Sequence, residues 1–271
     1  MNNIKKIVFF DLDETLLTTD KHVTEENRKA IAEAVEAGNA AAICTGRSVE
    51  ATLFVAEEAG MMREGCFLVN FQGGSIYDCG SRKVLSQEGI PLPEGRELVQ
   101  RALDSGLYAQ TYGEGGVLIP YECDISRRYC AICRENFRVF PSVEDIKEDL
   151  PKVIVINFDE RERLDRFQAE NAAFAGGKFE SFFSNPWYLE YTKKGIDKGY
   201  GVRKLAEYLS VPVENTVAVG DERNDIPMIC AAGVGAAMVN GHPEVKEAAD
   251  YITSADNNHS GVAEVIHRFV L

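Results

Sequence analysis

Short apolar runs that stop abruptly at polar or glycine residues decide what this chain can fold into. Ile4 to Phe10 ends at Asp11, and Ala40 to Cys44 ends at Thr45. Phe67 to Asn70 leads into Gly73-Gly74, and Thr216 to Val219 leads into Gly220-Asp221. Runs of this length without alternation suit strands covered on both faces, as in a parallel sheet. Helices separate them. Thr24 serves as an N-cap with Asn27 three residues on, and that helix stops at Gly38; Ser48 opens another that ends at Gly60. The β-α-β-α-β order predicts an α/β core with a doubly wound, parallel, Rossmann-like sheet.

The middle of the chain has a different pattern. Leu107 to Tyr112 and Val117 to Pro120 form a hairpin pattern around Gly113 to Gly116. A helix is expected over Arg127 to Asn136, a strand over Val153 to Phe158 and a helix over Glu160 to Ala173. Strands follow at Phe179 to Phe183 and Trp187 to Thr192. Paired strands with interspersed helices predict an α+β module with an antiparallel sheet. The first pattern then returns, with a helix from Asp197 to Leu209, the strand at Thr216, a helix from Asp225 to Ala232 and a strand at Val234 to Met238. The end reads as a helix from Pro243 to Ala249, a short strand at Tyr251-Ile252 and a helix from Gly261 to Phe269. We therefore expect a core of residues 1–80 and 190–271, interrupted by an inserted domain of residues 81–189. Two domains fit 271 residues at roughly 150 residues each.

The net charge is −14. Such a surface repels phosphate backbones and anionic lipids, which argues against a nucleic-acid or membrane-surface role. A small anionic substrate stays open, because a local pocket with a metal and a few cations overrides the global sign. No apolar run approaches the roughly 20 residues that span a bilayer, and the run ending at Asp11 is too short for a signal peptide. Seven scattered cysteines predict reduced thiols in a cytoplasmic protein. Cys130 and Cys133, with Cys123 nearby, lack the second pair a zinc site needs, so burial is expected of them.

Chemistry gathers just past the apolar runs, where open α/β sheets bind ligands. Asp11 and Asp13 stand two positions apart at a strand end, and two such carboxylates resist burial unless a cation sits between them. A hard divalent ion satisfies them and leaves the first as a nucleophile; an acidic turn with a helix cap is the plainer alternative. Thr45-Gly46-Arg47 offers a hydroxyl, backbone N–H groups and a guanidinium to an anion. Lys198 opens a helix, where a cation opposes the macrodipole unless an anion is near. Asp221 and Asp225, four apart in Gly220-Asp221-Glu222-Arg223-Asn224-Asp225, share one face of a helical turn and could supply the rest of a metal site.

In their order these four signals resemble the haloacid dehalogenase superfamily of phosphotransferases. Gly73-Gly74 with Ile76-Tyr77-Asp78, the stretch Lys246 to Thr253, and Gly261-Val262 resemble its Cof-type subgroup, which carries a large type IIB cap. The resemblance covers both flanks of the chain. It implies Asp11 as the nucleophile that forms an aspartyl-phosphate, and Asp13 as acid for the leaving alcohol and then base for water. Thr45 and Lys198 would hold phosphoryl oxygens. Asp11, the Asp13 carbonyl and Asp221 would bind Mg²⁺, with Asn224 and Asp225 behind them. Gly46, Arg47, Gln72 and Gly73 would line the substrate, and the inserted domain would be a cap. In that domain Arg127, Arg128, Lys178, Tyr112, Trp187 and the Gly113–Gly116 loop are candidate contacts. The implied activity is Mg²⁺-dependent hydrolysis of a small phosphorylated metabolite, such as a sugar phosphate or a phosphorylated cofactor. A sugar phosphomutase or a non-catalytic phosphometabolite sensor are the alternatives. A dinucleotide-binding dehydrogenase is disfavoured, since no G-x-G-x-x-G follows the first strand. Oligomeric state is open. Three departures from the family pattern stand out: Glu14 where glycine is usual, Gln72 where asparagine is usual, and Asn257 to Ser260 in place of a more acidic turn.

Overall fold

Every residue of the first strand, Ile7–Phe10 (β1), is buried. Its side chains alternate between two apolar layers, Val8 and Phe10 on one side, Ile7 and Phe9 on the other. That alternation decides the layering of the first unit of the chain. The computed structural model describes residues 4–113, 115–133 and 135–271. It divides into two units, one ending at Gln87 and resuming with Ile196–Leu271, the other Glu88–Gly195.

In chain order, the first unit begins with β1, helix Glu25–Glu36 (α1), Ala40–Cys44 (β2), helix Val49–Glu58 (α2), Cys66–Asn70 (β3), Ser75–Asp78 (β4) and Lys83–Gln87 (β5). The second unit contains Leu92–Asp104 (α3), Tyr108–Gly113 (β6), Gly116–Ile119 (β7), Asp124–Cys133 (α4), Phe137–Val139 (β8), Val153–Ile156 (β9), Arg161–Glu170 (α5), Ala172–Ala175 (α6), Phe179–Asn185 (β10) and Tyr188–Lys193 (β11). The first unit then resumes with Lys198–Tyr208 (α7), Thr216–Gly220 (β12), Ile226–Ala231 (α8), Val234–Ala237 (β13), Pro243–Ala248 (α9), Tyr251–Ile252 (β14) and Gly261–Phe269 (α10).

The sheet of the first unit runs β14-β13-β12-β1-β2-β3-β4-β5. Its strands from β14 to β3 are parallel, and β4 and β5 add an antiparallel margin. One face packs α1 and α10 through Ala30, Ile31, Ala34, Val262 and Val265; the other packs α7 and α8 through Val202, Leu205, Met228 and Ile229. β1 lies between β12 and β2, so its carboxyl end, Asp11, opens where the chain order reverses, the place ligands occupy in such sheets. Caps hold the helices as the sequence predicts: Asn27 N donates to Thr24 Oγ1 at 3.2 Å, and Ala51 N to Ser48 Oγ at 3.0 Å.

The second unit holds a six-stranded sheet, β10-β11-β9-β6-β7-β8. It departs from the sequence reading at several places, beginning with a helix, α3, that the reading did not include. β8 pairs parallel to β7, because α4 carries the chain back over the sheet before it returns. That helix spans Asp124–Cys133 rather than Arg127 to Asn136, and the helix expected over Glu160 to Ala173 breaks at Asn171. The unit boundaries fall at 87/88 and 195/196 rather than at 80/81 and 189/190: β5 pairs with β4 and so joins the first unit, while β11 pairs with β9 and β10 and stays in the second. Residue 114 of the Gly113–Gly116 loop lies outside the described residues. Among the described residues no helix is long and apolar enough to cross a membrane.

Candidate active site

Strand register brings the ends of β1 and β12 side by side, with Phe10 opposite Val219, and Asp11 N donates to Val219 O at 3.1 Å. Asp11 thus stands next to Gly220, where the acidic turn begins. Gly220 is needed there: a Cβ on it would lie 2.6 Å from Asp225 Oδ2. That space lets the Asp225 carboxylate fold back, its Oδ2 accepting from Asp221 N and Glu222 N at 3.0 Å each. Its Oδ1 accepts from Lys198 Nζ at 2.5 Å, and Lys198 Nζ also donates to Asp11 Oδ1 at 2.5 Å. The helix that presents this lysine, α7, is capped by Asp197, which accepts from Tyr200 N at 2.7 Å. The cation at the wrong end of a helix therefore has its anions, two of them.

Asp221 completes the group. Thr15 Oγ1 donates to Asp221 Oδ1 at 2.7 Å. One ligand atom from each of Asp11, Asp221 and Asp225 falls within 4.8 Å of the others. Both oxygens of Asp225 are already committed. Among the described residues Asp11 Oδ2 and Asp221 Oδ2 accept no hydrogen bond. Burial pushes Asp11 up to about 7 despite the pull of Lys198, with Asp225 adding to the rise. Burial likewise raises Asp221 to about 6, against the Thr15 hydrogen bond. Burial alone would lower Lys198, but Asp11 and Asp225 hold it above its usual value. Three carboxylates around one ammonium leave excess negative charge on hard oxygen donors, so these residues fit a divalent cation.

The Asp13 carboxylate is not one of these three and has partners of its own. Arg47 Nη2 donates to both of its oxygens, at 2.8 and 2.7 Å, and Lys21 Nζ reaches Oδ1 at 3.1 Å. Burial raises this carboxyl, yet the Arg47 charge and the hydrogen bonds from Arg47 and Lys21 outweigh it and hold it below the usual carboxylate range. Asp225, and not the Asp13 side chain, is the third carboxylate of the buried group.

Thr45 is buried at the end of β2, and its Oγ1 accepts from Arg47 N at 3.3 Å. Gln72 N donates to Thr45 O at 3.0 Å, and a Cβ on Gly46 would lie 2.8 Å from Gln72 Nε2, so Thr45, Gly46, Arg47 and Gln72 form one neighbourhood. Gly73, at φ +103, packs its Cα against the start of α7, where a Cβ would lie 2.2 Å from Asp197 O. Asn224 is exposed on the Arg223–Asp225 turn, outside the buried carboxylates.

Sequence reasoning missed three residues that build the site. Thr15 and Gly220 were visible in the sequence, the one two residues past Asp13 and the other immediately before Asp221. Asn70 carried a fainter signal, a polar residue ending an apolar strand; its Nδ2 donates to Arg47 O at 3.2 Å, Ser48 O at 3.0 Å and Thr52 Oγ1 at 2.9 Å, which fixes the Thr45–Ser48 turn. In the second unit, Arg127 is exposed and paired with Glu122 and Asp124, Arg128 lies 4.3 Å over the Phe158 ring, and Lys178 faces Glu94. Tyr112 is buried with its hydroxyl bonded to Tyr129, and Trp187 is half-exposed. The seven cysteines are free thiols, and no cysteine belongs to the metal-competent group found among the described residues.

A family model for haloacid dehalogenase-like hydrolases matches residues 8–266. A Bacillus subtilis phosphatase, named for 5-amino-6-(5-phospho-D-ribitylamino)uracil, is 30% identical over 98% of this chain and 96% of its own. A haloacid dehalogenase-like hydrolase from Bacteroides thetaiotaomicron superposes with a TM-score of 0.87 at 29% identity, covering 97% of this chain and 98% of that one. A Thermotoga maritima structure gives 0.86 at 27% identity over 98% and 97%. With a site of this geometry and a match across nearly its whole length, the chain belongs to the haloacid dehalogenase-like hydrolases, as a Cof-type phosphatase.

Proposed function

We propose that the chain hydrolyses the phosphomonoester of a small metabolite through an aspartyl-phosphate on Asp11, in the presence of Mg²⁺. The observation that carries this is the buried Lys198 ammonium against Asp11 Oδ1, which holds one oxygen and leaves the other for phosphorus.

In the first step Asp11 Oδ2 forms a bond to phosphorus and the bond from phosphorus to the leaving oxygen breaks. A proton carried by Asp13 goes to the departing alkoxide. In the second step water attacks phosphorus, the bond to Asp11 breaks, and the proton of the water passes to the Asp13 carboxylate. The proton that Asp13 takes from the water is the one it gives to the alkoxide of the next turnover, and its hydrogen bonds from Arg47 and Lys21 favour the ionised form that accepts it. Lys198 and the Thr45 hydroxyl would share the equatorial phosphoryl charge, where most of the stabilisation in phosphoryl transfer arises. Asp11, Asp221 and the Asp13 carbonyl would hold the Mg²⁺, which when bound neutralises charge on the phosphoryl oxygens. Asp225 keeps Lys198 and the Asp221 backbone in place.

Phosphate release from a panel of phosphorylated metabolites with Mg²⁺, wild type beside Asp11→Asn, tests this. The panel includes 5-amino-6-(5-phospho-D-ribitylamino)uracil and sugar phosphates. Release by wild type and not by Asp11→Asn is expected. Equal release by both would remove Asp11 as nucleophile, and transfer between substrate hydroxyls without free phosphate would identify a mutase.

A further inference from the structure

The turn after β1 contains two residues whose conformation favours glycine. Glu14 has φ +58 and Lys21 has φ +64. Both conformations are unfavourable for a residue with a side chain, so something must hold them. Glu14 is held on three sides: its carbonyl accepts from Asn240 Nδ2 at 2.8 Å, and its Oε2 accepts from Asn257 Nδ2 at 3.1 Å and Thr19 Oγ1 at 3.3 Å. Asn257 is itself buried and donates to Leu17 O at 3.0 Å. Lys21 is fixed by a tight hairpin in which Thr18 N donates to His22 O at 2.9 Å and Lys21 N to Thr18 O at 2.8 Å.

These two constrained residues meet. Lys21 Nζ donates to Glu14 Oε1 and to Asp13 Oδ1, both at 3.1 Å. An exposed ion pair alone contributes little. Here one ammonium joins two carboxylates, and the outer one is anchored to a buried asparagine. Arg47 by itself touches both Asp13 oxygens through a single nitrogen, a contact about which the carboxylate can swing. Lys21 adds a second, off-axis contact on Oδ1.

We propose that Glu14 and Lys21 form a brace that sets the direction of the Asp13 carboxylate toward the attacking water, with Lys21 as a positioning residue; this rests on the role given to Asp13 above. With a leaving group that departs without a proton, losing the brace slows breakdown of the aspartyl-phosphate and leaves its formation intact. In that breakdown the water oxygen bonds to phosphorus, the bond to Asp11 breaks, and the water proton goes to Asp13.

The test uses the full chain with Mg²⁺ and p-nitrophenyl phosphate, whose leaving group departs without a proton. Lys21→Met should lower kcat on the order of tenfold, part of what a general base contributes. KM should fall in the same proportion, so that kcat/KM is unchanged and a first-turnover burst of nitrophenol appears. Lys21→Arg should retain most of kcat. Glu14→Gly, which relaxes its turn, should reproduce the fall, and Glu14→Gly with Lys21→Met should be no slower than Lys21→Met alone. An unchanged kcat in Lys21→Met overturns the brace. So does a raised KM with lower kcat/KM, which would make Lys21 a substrate contact. Asp13→Asn is the separate control: wild-type turnover there would remove the role of Asp13, and the brace with it.

Discussion

Lys198 Nζ and Asp11 Oδ1 stand 2.5 Å apart in the interior of the first unit, with Lys198 only 1% exposed. The ammonium also holds Asp225, so one cation offsets two buried carboxylates. Removing one partner of a buried pair costs about 3–5 kcal/mol, because a charge is left uncompensated. Lys198→Met should therefore lower the urea midpoint and stop turnover together. A midpoint equal to wild type would mean that the lysine does not offset these charges.

The same excess of carboxylates predicts a pH dependence of the metal-free protein. Folding raises Asp11 to about 7 and Asp221 to about 6, from 3.8 in each case, chiefly by burial. The folded form thus binds protons more tightly than the unfolded chain. The stability these two groups contribute is full below pH 3.8 and is lost as pH rises through about 6 and 7. Urea unfolding in a chelator should show stability falling between pH 5 and pH 8, and Asp11→Asn with Asp221→Asn should flatten that slope. Added Mg²⁺ should oppose the fall, since it binds the ionised pair. A wild-type slope unaltered by the double substitution would place the titrating groups elsewhere.

Gly220→Ala tests the frame behind the charges. The added methyl would meet the Asp225 side chain at 2.5–2.6 Å, too close for any real contact. Asp225 would have to move, and with it the hydrogen bonds to Asp221 N and Glu222 N and the grip on Lys198. Overpacking of this kind costs about 1–3 kcal/mol, and a displacement of about 1 Å at a reacting centre costs on the order of a hundredfold in rate. Steady-state kinetics beside a urea melt would separate the two effects. Full activity would show that Asp225 tolerates displacement.

How much of this was legible in the sequence depended on whether a residue's neighbours in space were also its neighbours in the chain. Thr24 and Ser48 cap helices through their own next turn, and those helices start where the sequence predicts; Asp197, read as the first residue of its helix, caps it instead. β1, β2 and β12 are buried on both faces, so their apolar runs stand out. β5 was missed because it lies at the sheet margin, where Lys83–Gln87 is largely exposed and carries no apolar signature. β8 was missed for the same reason. In the site, the order of four motifs brought Asp11, Lys198, Asp221 and Asp225 into view. The partition of labour among the carboxylates was not visible, because it depends on contacts across 206 residues, from Thr15 to Asp221, and 187 residues, from Lys198 to Asp11. Glu14 is the converse case. Its departure from glycine was plain in the sequence, but the asparagines that make the departure tolerable lie more than 220 residues away.

The second unit offers a test of stability independent of the catalytic chemistry. Gln110 lies on β6 with no exposed surface, between Tyr108 and Tyr112 on the same face. Helix α4 covers that face, since Tyr129 bonds the Tyr112 hydroxyl and stacks edge-on against Tyr188. Beneath it neither Gln110 Nε2 nor Oε1 has a hydrogen-bond partner among the described residues. A buried amide without partners costs about 1–3 kcal/mol in lost hydration. Leucine is of similar size and carries no such cost, so Gln110→Leu should raise the urea midpoint by the equivalent of about 1–2 kcal/mol. Turnover should be retained if the amide has no part in the reaction. A lower midpoint would mean that the amide is satisfied by ordered water, whose loss the apolar side chain cannot repay.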